Sequence, residues 1–295
     1  MAQGSRVCPS CGRLNSAGDK ACYNCGKRLP GPLSSSVLGF FTDFSEDGLP
    51  ATKLLAGVCI VVYGLMMATD GARVSGDKLH GLMAFDPSTA FRFGALLGPP
   101  VISAEPWRVL SAVFLHGSVM HIGMNMLSLV NLGRTLEPHF RSGRFVLIYL
   151  LSGALGFCAS VWRNGEMTFS VGASGAIFGL LGALIGILII RRNPGWQQVF
   201  FSNLIMAFMI GFAFRSVDNT AHIGGFIVGL LLGLGLELEP QPRRRDRLMA
   251  GLALLGGLAV IASLVLSARS PVWKEQRQAE IAYAERHDRA RLNSE

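Results

Sequence analysis

A serine set between glycines and a histidine at the head of a second apolar run are the residues of this chain best suited to chemistry. Gly172-Ala173-Ser174-Gly175 opens one apolar stretch and His222 opens another. A serine hydroxyl is inert until a base takes its proton. Flanking glycines permit a tight turn and close approach of a substrate chain, and the first amides of a helix point at the place where an oxyanion would form. Six histidines could serve as the base: His80, His116, His121, His139, His222 and His287. His222 should start its helix at the depth where Ser174 starts its own, whereas His139 falls at the opposite end and His287 in the C-terminal tail. His222 is therefore the expected base.

Two further side chains belong to the same expectation. His121 and Asn125 stand four apart and so share a helical face. A buried imidazole and amide are costly in lipid and default to a functional role. With the Ser174 amide they could stabilise a tetrahedral oxyanion, the term that often dominates acyl transfer. His116 reads instead as polar glue between helices.

The elements that must position these residues are membrane-length apolar blocks. The chain is 50% hydrophobic and only 16% charged, which is far from an ordinary soluble composition. Seven blocks stand out: Leu54 to Ala68, Leu110 to Leu132, Phe145 to Val161, Ser174 to Ile190, Val199 to Phe214, His222 to Leu236 and Met249 to Leu266. Several are short for a hydrocarbon core of about 30 Å, but neighbouring helices can shield their ends. Gly225, Gly229 and Gly233 recur every four residues, as do Gly175, Gly179 and Ala183. Small residues at that spacing let two helix backbones approach closely, which would bring Ser174 to His222.

Charge placement predicts the topology. Arg134, Arg141, Arg144, Arg191, Arg192 and the run Arg243, Arg244, Arg245 and Arg247 mark the second, fourth and sixth loops as cytoplasmic. The long first loop, with Arg73, Lys78, Arg92 and Arg108 diluted among acids, should face outward. The expectation is a multi-pass protein, placed in a bacterial plasma membrane, with the N-terminus inside and the C-terminus outside. The net charge of +8 is then mostly topological, with anionic lipid headgroups as its counter-charge; nucleic acid is not an expected partner. The N-terminal segment has no apolar core of a cleavable signal peptide.

Cys8-Pro-Ser-Cys11-Gly and Cys22-Tyr-Asn-Cys25-Gly form two Cys-x-x-Cys knuckles in the first 25 residues. Four thiolates on such knuckles can converge tetrahedrally, and the glycine after each pair lets backbone amides turn toward sulfur. A structural zinc is expected, in preference to disulfides on a reducing side of the membrane. A site closed by four protein ligands argues against catalysis by the metal. The organisation expected is a zinc ribbon over residues 1–29, a Pro- and Ser-rich linker over 30–53, a six-span core over 54–238, an Arg-rich loop and seventh helix over 239–268, and a charged outer tail over 269–295.

On these residues the chain resembles the rhomboid intramembrane serine proteases. Gly172-Ala-Ser174-Gly175 looks like their nucleophile motif, and Ala221-His222-Ile-Gly-Gly225-Phe-Ile-Val-Gly229 like their histidine motif. His116, His121 and Asn125 match the pattern of their second helix, and Trp107-Arg108 the pair ending their first outer loop. The resemblance spans roughly Leu54 to Leu238 and implies an all-α membrane fold, a six-helix bundle here followed by one extra helix. It implies a Ser174-His222 dyad with no obligatory acid and no catalytic cofactor, Asp218 or Asn219 serving as a helix N-cap. Phe178 would pack on the histidine, with Gly172, Gly175 and His116 in support. The implied activity is endopeptidase cleavage of transmembrane protein segments near the outer face, with membrane lipid as the surroundings. The resemblance does not extend to the ribbon, which is expected to recruit or sense a cytoplasmic partner or to cap the inner side. Two other readings are an inactive protein of the same fold that binds membrane clients, and a transporter lined by glycine-broken helices.

Overall fold

The computed structural model describes residues 5–7, 14–16, 19–27, 49–70, 87–202, 217–239, 242–275 and 278. Cys8, Cys11, His80, His287, the linker up to residue 48 and most of the C-terminal tail lie outside them. The chain divides into two compact units, Met1–Gly48 and Leu49–Glu295. In the first, β1 (Ser5–Val7) pairs antiparallel with β2 (Leu14–Ser16), Val7 opposite Leu14. A second turn is closed by Gly26 N donating to Cys22 O (2.9 Å) and Cys22 N to Lys27 O (2.7 Å), with Gly26 at φ +70°. That left-handed conformation favours glycine.

The second unit is helical. Among the described residues, four helices are long and apolar enough to cross a membrane: Pro50–Thr69, Val119–Met167, Asn219–Glu237 and Arg245–Glu275, with Ser174–Ile190 a shorter apolar helix. In chain order the helices are α1 (Pro50–Asp70), α2 (Pro87–Phe93), α3 (Pro99–Ala104), α4 (Arg108–Ser111), α5 (Val119–Asn164), α6 (Ser174–Ile190), α7 (Asn219–Glu237) and α8 (Pro242–Ala268). Residues 195–202 are also helical, at the start of the fifth apolar block, whose remainder lies outside the described residues.

Helix α5 is two passes joined at a break. Arg141 has φ 67° and ψ 156°, a conformation no right-handed helix contains. His121 on the first limb and Ser160 on the second both lie at the Ser174 end, while His139 and Arg144 lie at the other end beside Glu237, Glu239 and Asp246. The chain therefore descends and returns. Arg141 to Asp246 (2.6 Å), Arg144 to Glu239 (2.8 Å) and Arg191 to Glu237 (2.7 Å) gather the second, fourth and sixth loops at one end of the bundle.

Three expectations are corrected. Residues 50–53, read as linker, begin α1: Ala51 and Thr52 are buried because the Glu137 carboxylate accepts from Ala51 N, Thr52 N (both 2.8 Å) and the Thr52 hydroxyl (2.6 Å). A carboxylate satisfying the first amides of a helix also favours its dipole. The block Leu110 to Leu132 is not one helix. It breaks after α4 and the 3-10 turn Ala112–Phe114, and α5 restarts at Val119 with the Ser118 hydroxyl accepting from His121 N at 3.1 Å. The segment from 269, expected as a charged outer tail, begins packed within the helical unit: Ser270 is fully buried and Trp273 meets Phe91 edge-on at 6.0 Å.

Helices α6 and α7 make the most extensive pairing among the described elements. A Cβ at Gly225 would strike Gly175 O, one at Gly229 would strike Gly179 O, and one at Gly233 would meet the Ala183 backbone at 2.6 Å. The two small-residue stripes face one another in the register that their spacing suggests. With Cβ atoms absent, the backbones themselves make contact.

Candidate active site

The α6–α7 register fixes the height of two side chains at one end of the seam. Ser174 is the first residue of α6 and His222 lies in the first turn of α7, and their Oγ and Nε2 atoms are 2.7 Å apart. An Nε2 that accepts from the hydroxyl leaves the other ring proton on Nδ1. The imidazole is held flat on the Phe178 ring, centroids 4.4 Å apart and planes 12° from parallel. Phe178 is one turn along α6 from Ser174, so one helix carries both the hydroxyl and the platform beneath its partner.

The turn entering α6 explains its glycine. Gly172 has φ +131°, and a Cβ there would lie 2.7 Å from His121 Nε2. The absent side chain leaves His121 beside the Ser174 turn. His121 Nδ1 accepts from Gly117 N at 3.4 Å, a tautomer that puts the ring proton on Nε2, toward Gly172. The first intrahelical bond of α6 is Ile177 N to Ala173 O (2.9 Å), so the amides of Ser174, Gly175 and Ala176 have no helical acceptor.

The remaining sequence candidates are placed less directly. Asn125 is buried and donates to His121 O at 2.9 Å, one turn below the His121 ring. His116 is fully buried with its ring 5.1 Å from that of His121; it backs the site without reaching Ser174. Gly175 lies against Ala221 O, beside His222. His139 pairs with Glu237 at 2.8 Å at the far end of the bundle. Of the four cysteines expected to hold zinc, Cys22 and Cys25 are described, as part of the N-terminal unit, and Cys8 and Cys11 lie outside the described residues.

Asp218 is the N-cap of α7, its carboxylate accepting from Ala221 N at 3.0 Å. The hydroxyls of Ser160 and Ser170 donate to the same carboxylate. Asp218 thus ties the end of α5 and the strand before Ser174 to the helix that carries His222. Ser160 and Ser170 carried no sequence signal, because isolated serines in apolar runs read as small packing residues.

Residues 103–238 match the family model described as Rhomboid domain. The chain is 38% identical over 177 residues to RHOMBOID-like protein 5 of Arabidopsis thaliana, covering 57% of each chain. It is 34% identical over 215 residues to Rhomboid protease GluP of Bacillus subtilis, covering 71% of this chain and 39% of that one. It is 33% identical over 221 residues to Rhomboid-type serine protease 2 of Emericella nidulans, covering 71% and 44%. The chain spans between 39% and 57% of these relatives' length, and their sources, a plant, a bacterium and a fungus, do not single out a bacterial origin. Residues 103–238 thus match a rhomboid domain, the relatives it resembles are rhomboid proteins, and the apolar helices support a membrane protein.

Proposed function

We propose that this chain is an intramembrane serine endopeptidase using a Ser174-His222 dyad. The observation that carries the reading is the 2.7 Å contact between Ser174 Oγ and His222 Nε2, at a helix start whose amides lack acceptors. His222 takes the hydroxyl proton as Oγ attacks a peptide carbonyl, and an acyl-enzyme forms as the protonated His222 gives its proton to the leaving amine. Water then attacks the ester with His222 again as base. The oxyanion is held by the Ser174 amide, by His121 Nε2–H, and by the Asn125 amide proton that His121 O does not use. Asp218 acts as a cap; its commitments to Ala221, Ser160 and Ser170 favour a dyad over a triad.

Six crossings among the described residues fit this reading, α1, the two limbs of α5, α6, α7 and α8, with the apolar block Val199 to Phe214 expected as a seventh. The arginine-rich end faces the cytoplasm and the Ser174 end faces outward. Substrates are membrane proteins whose helices unwind near the outer face, since an intact helix hides its carbonyls, with small residues at the cut to suit the glycine-lined turn. A client-binding protein without activity would have no need of a hydroxyl on a histidine nitrogen, nor a transporter of acceptor-free amides beside it. Reconstituted in liposomes with a single-span substrate, the protein should release two fragments. An intact substrate with the wild-type protein and with Ser174→Ala alike would refute the reading.

The N-terminal unit fits a structural zinc held by Cys8, Cys11, Cys22 and Cys25. The Val7–Leu14 pairing flanks the first knuckle, and Gly26 takes the left-handed turn that follows the second. The metal would stabilise this small unit, which presents a surface for a cytoplasmic protein partner, and would take no part in peptide cleavage. One zinc per chain is expected by elemental analysis, with loss on Cys22→Ser; equal metal in both proteins would contradict it.

A further inference from the structure

Helix α8 lies outside the matched rhomboid domain, and its apolar residues mostly face outward from the bundle, yet every serine between residues 245 and 275 is buried against the outer segment. Ser263, Ser267 and Ser270 fall at helical spacing on one face. Ser263 Oγ donates to Trp107 O (2.6 Å) and accepts from Ser111 N (3.0 Å). The Ser111 hydroxyl donates to Gly94 O at 2.9 Å, so the Ser267 hydroxyl, 3.3 Å away, donates to Ser111. Ser270 Oγ donates to Glu105 Oε1 (2.6 Å) and accepts from Arg108 Nη2 (3.3 Å).

Arg108 and Glu105 form a 2.6 Å ion pair with side chains 0% and 1% exposed. Arg108 also donates to Phe91 O (2.8 Å) and Ala95 O (3.2 Å). In a lipid setting none of these groups has water to fall back on, and Ser270 completes the closed set of partners around the ion pair.

The held segment leads to the turn before the candidate nucleophile in one covalent step and one hydrogen bond. Ser111 is followed by Ala112, whose carbonyl accepts from Gly172 N at 2.9 Å. Upstream, β3 (Leu96–Leu97) pairs with β4 (Phe169–Ser170), Leu96 opposite Ser170. A Cβ at Gly98 would lie 2.7 Å from Glu166 Cα, so the two segments touch along their backbones.

We propose that Ser263 and Ser267 of α8 are positioning residues: by holding Ser111 they fix the Ala112 carbonyl, and through Gly172 they set the turn that presents Ser174 to His222. The extra helix is thus a structural part of the site's outer wall. The catalytic consequence rests on the peptidase reading above, but the positioning does not.

The experiment compares wild-type protein with Ser263→Ala/Ser267→Ala by hydrogen exchange and by inactivation with a fluorophosphonate. Amide exchange at residues 94–98, 111–112 and 169–172 should rise about tenfold or more, with α1 and the α6–α7 seam unchanged. The maximal inactivation rate should fall about tenfold while the half-saturating reagent concentration stays put. Should the double variant fail to fold, Ser267→Ala alone keeps the Ser263 bonds to Trp107 O and Ser111 N and is expected to give the same pattern at about threefold. Unchanged exchange in these segments, or a rise spread evenly over α1 and α7, would overturn the proposal. Localised exchange with no inactivation of even the wild-type protein would sustain the positioning and sink the peptidase reading.

Discussion

Replacing Ser174 by Ala should lower cleavage by about 10⁴-fold or more, and His222→Ala should do the same, because neither group can act without the other. The double variant should then be no worse than either single one, since residues that act as a unit give strongly non-additive losses. Both side chains sit at helix starts at one end of the seam and supply none of its glycine-to-backbone contacts, so both variants should keep the wild-type thermal midpoint. Asp218→Ala should behave differently. It removes the α7 cap and the anchor for Ser160 and Ser170, so stability should fall by about 1 kcal/mol or more and activity only in part. Cleavage rates and thermal midpoints for the four variants separate these outcomes. Multiplicative loss in the double variant would mean that the two side chains work independently.

The second large effect belongs to the seam. Gly229→Val places a branched side chain where even a Cβ would overlap Gly179 O. Helix backbones in contact cannot yield as a flexible side chain would, so destabilisation of about 3 kcal/mol or more is expected, with Ser174 drawn away from His222. Gly235→Val is the matched control, because nothing lies within 4 Å of its added Cβ. Thermal unfolding in detergent should show a lower midpoint for the first variant alone. Equal midpoints would mean that the α6–α7 contact is looser than its register indicates.

Much of this arrangement was legible in the sequence because the glycine stripes fix a register. Pairing Gly175 with Gly225 and Gly179 with Gly229 leaves His222 level with Ser174, and the Phe178 platform follows one turn along the same helix. What escaped was mostly what depended on contacts between distant segments. The restart of α5 falls at His116-Gly117-Ser118, where a glycine and an N-cap serine mark a boundary that a reading by apolar blocks passes over. Glu137 reads as a loop acid until its partners at Ala51 and Thr52 are known, and Arg108 as a diluted loop charge until Glu105 and Ser270 enclose it. The serines of α8 are the clearest case, since a serine in a membrane helix looks like a small packing residue wherever its acceptor lies more than 150 positions away.

The measurement closest to the central claim is covalent labelling of the protein in lipid by a fluorophosphonate, with the modified residue located by mass spectrometry. Phosphonylation should fall on Ser174 and vanish in Ser174→Ala. In His222→Ala it should drop to the rate of an ordinary serine, although the Ser174 hydroxyl remains. Absence of label on Ser174, or label of undiminished rate in His222→Ala, would contradict the dyad.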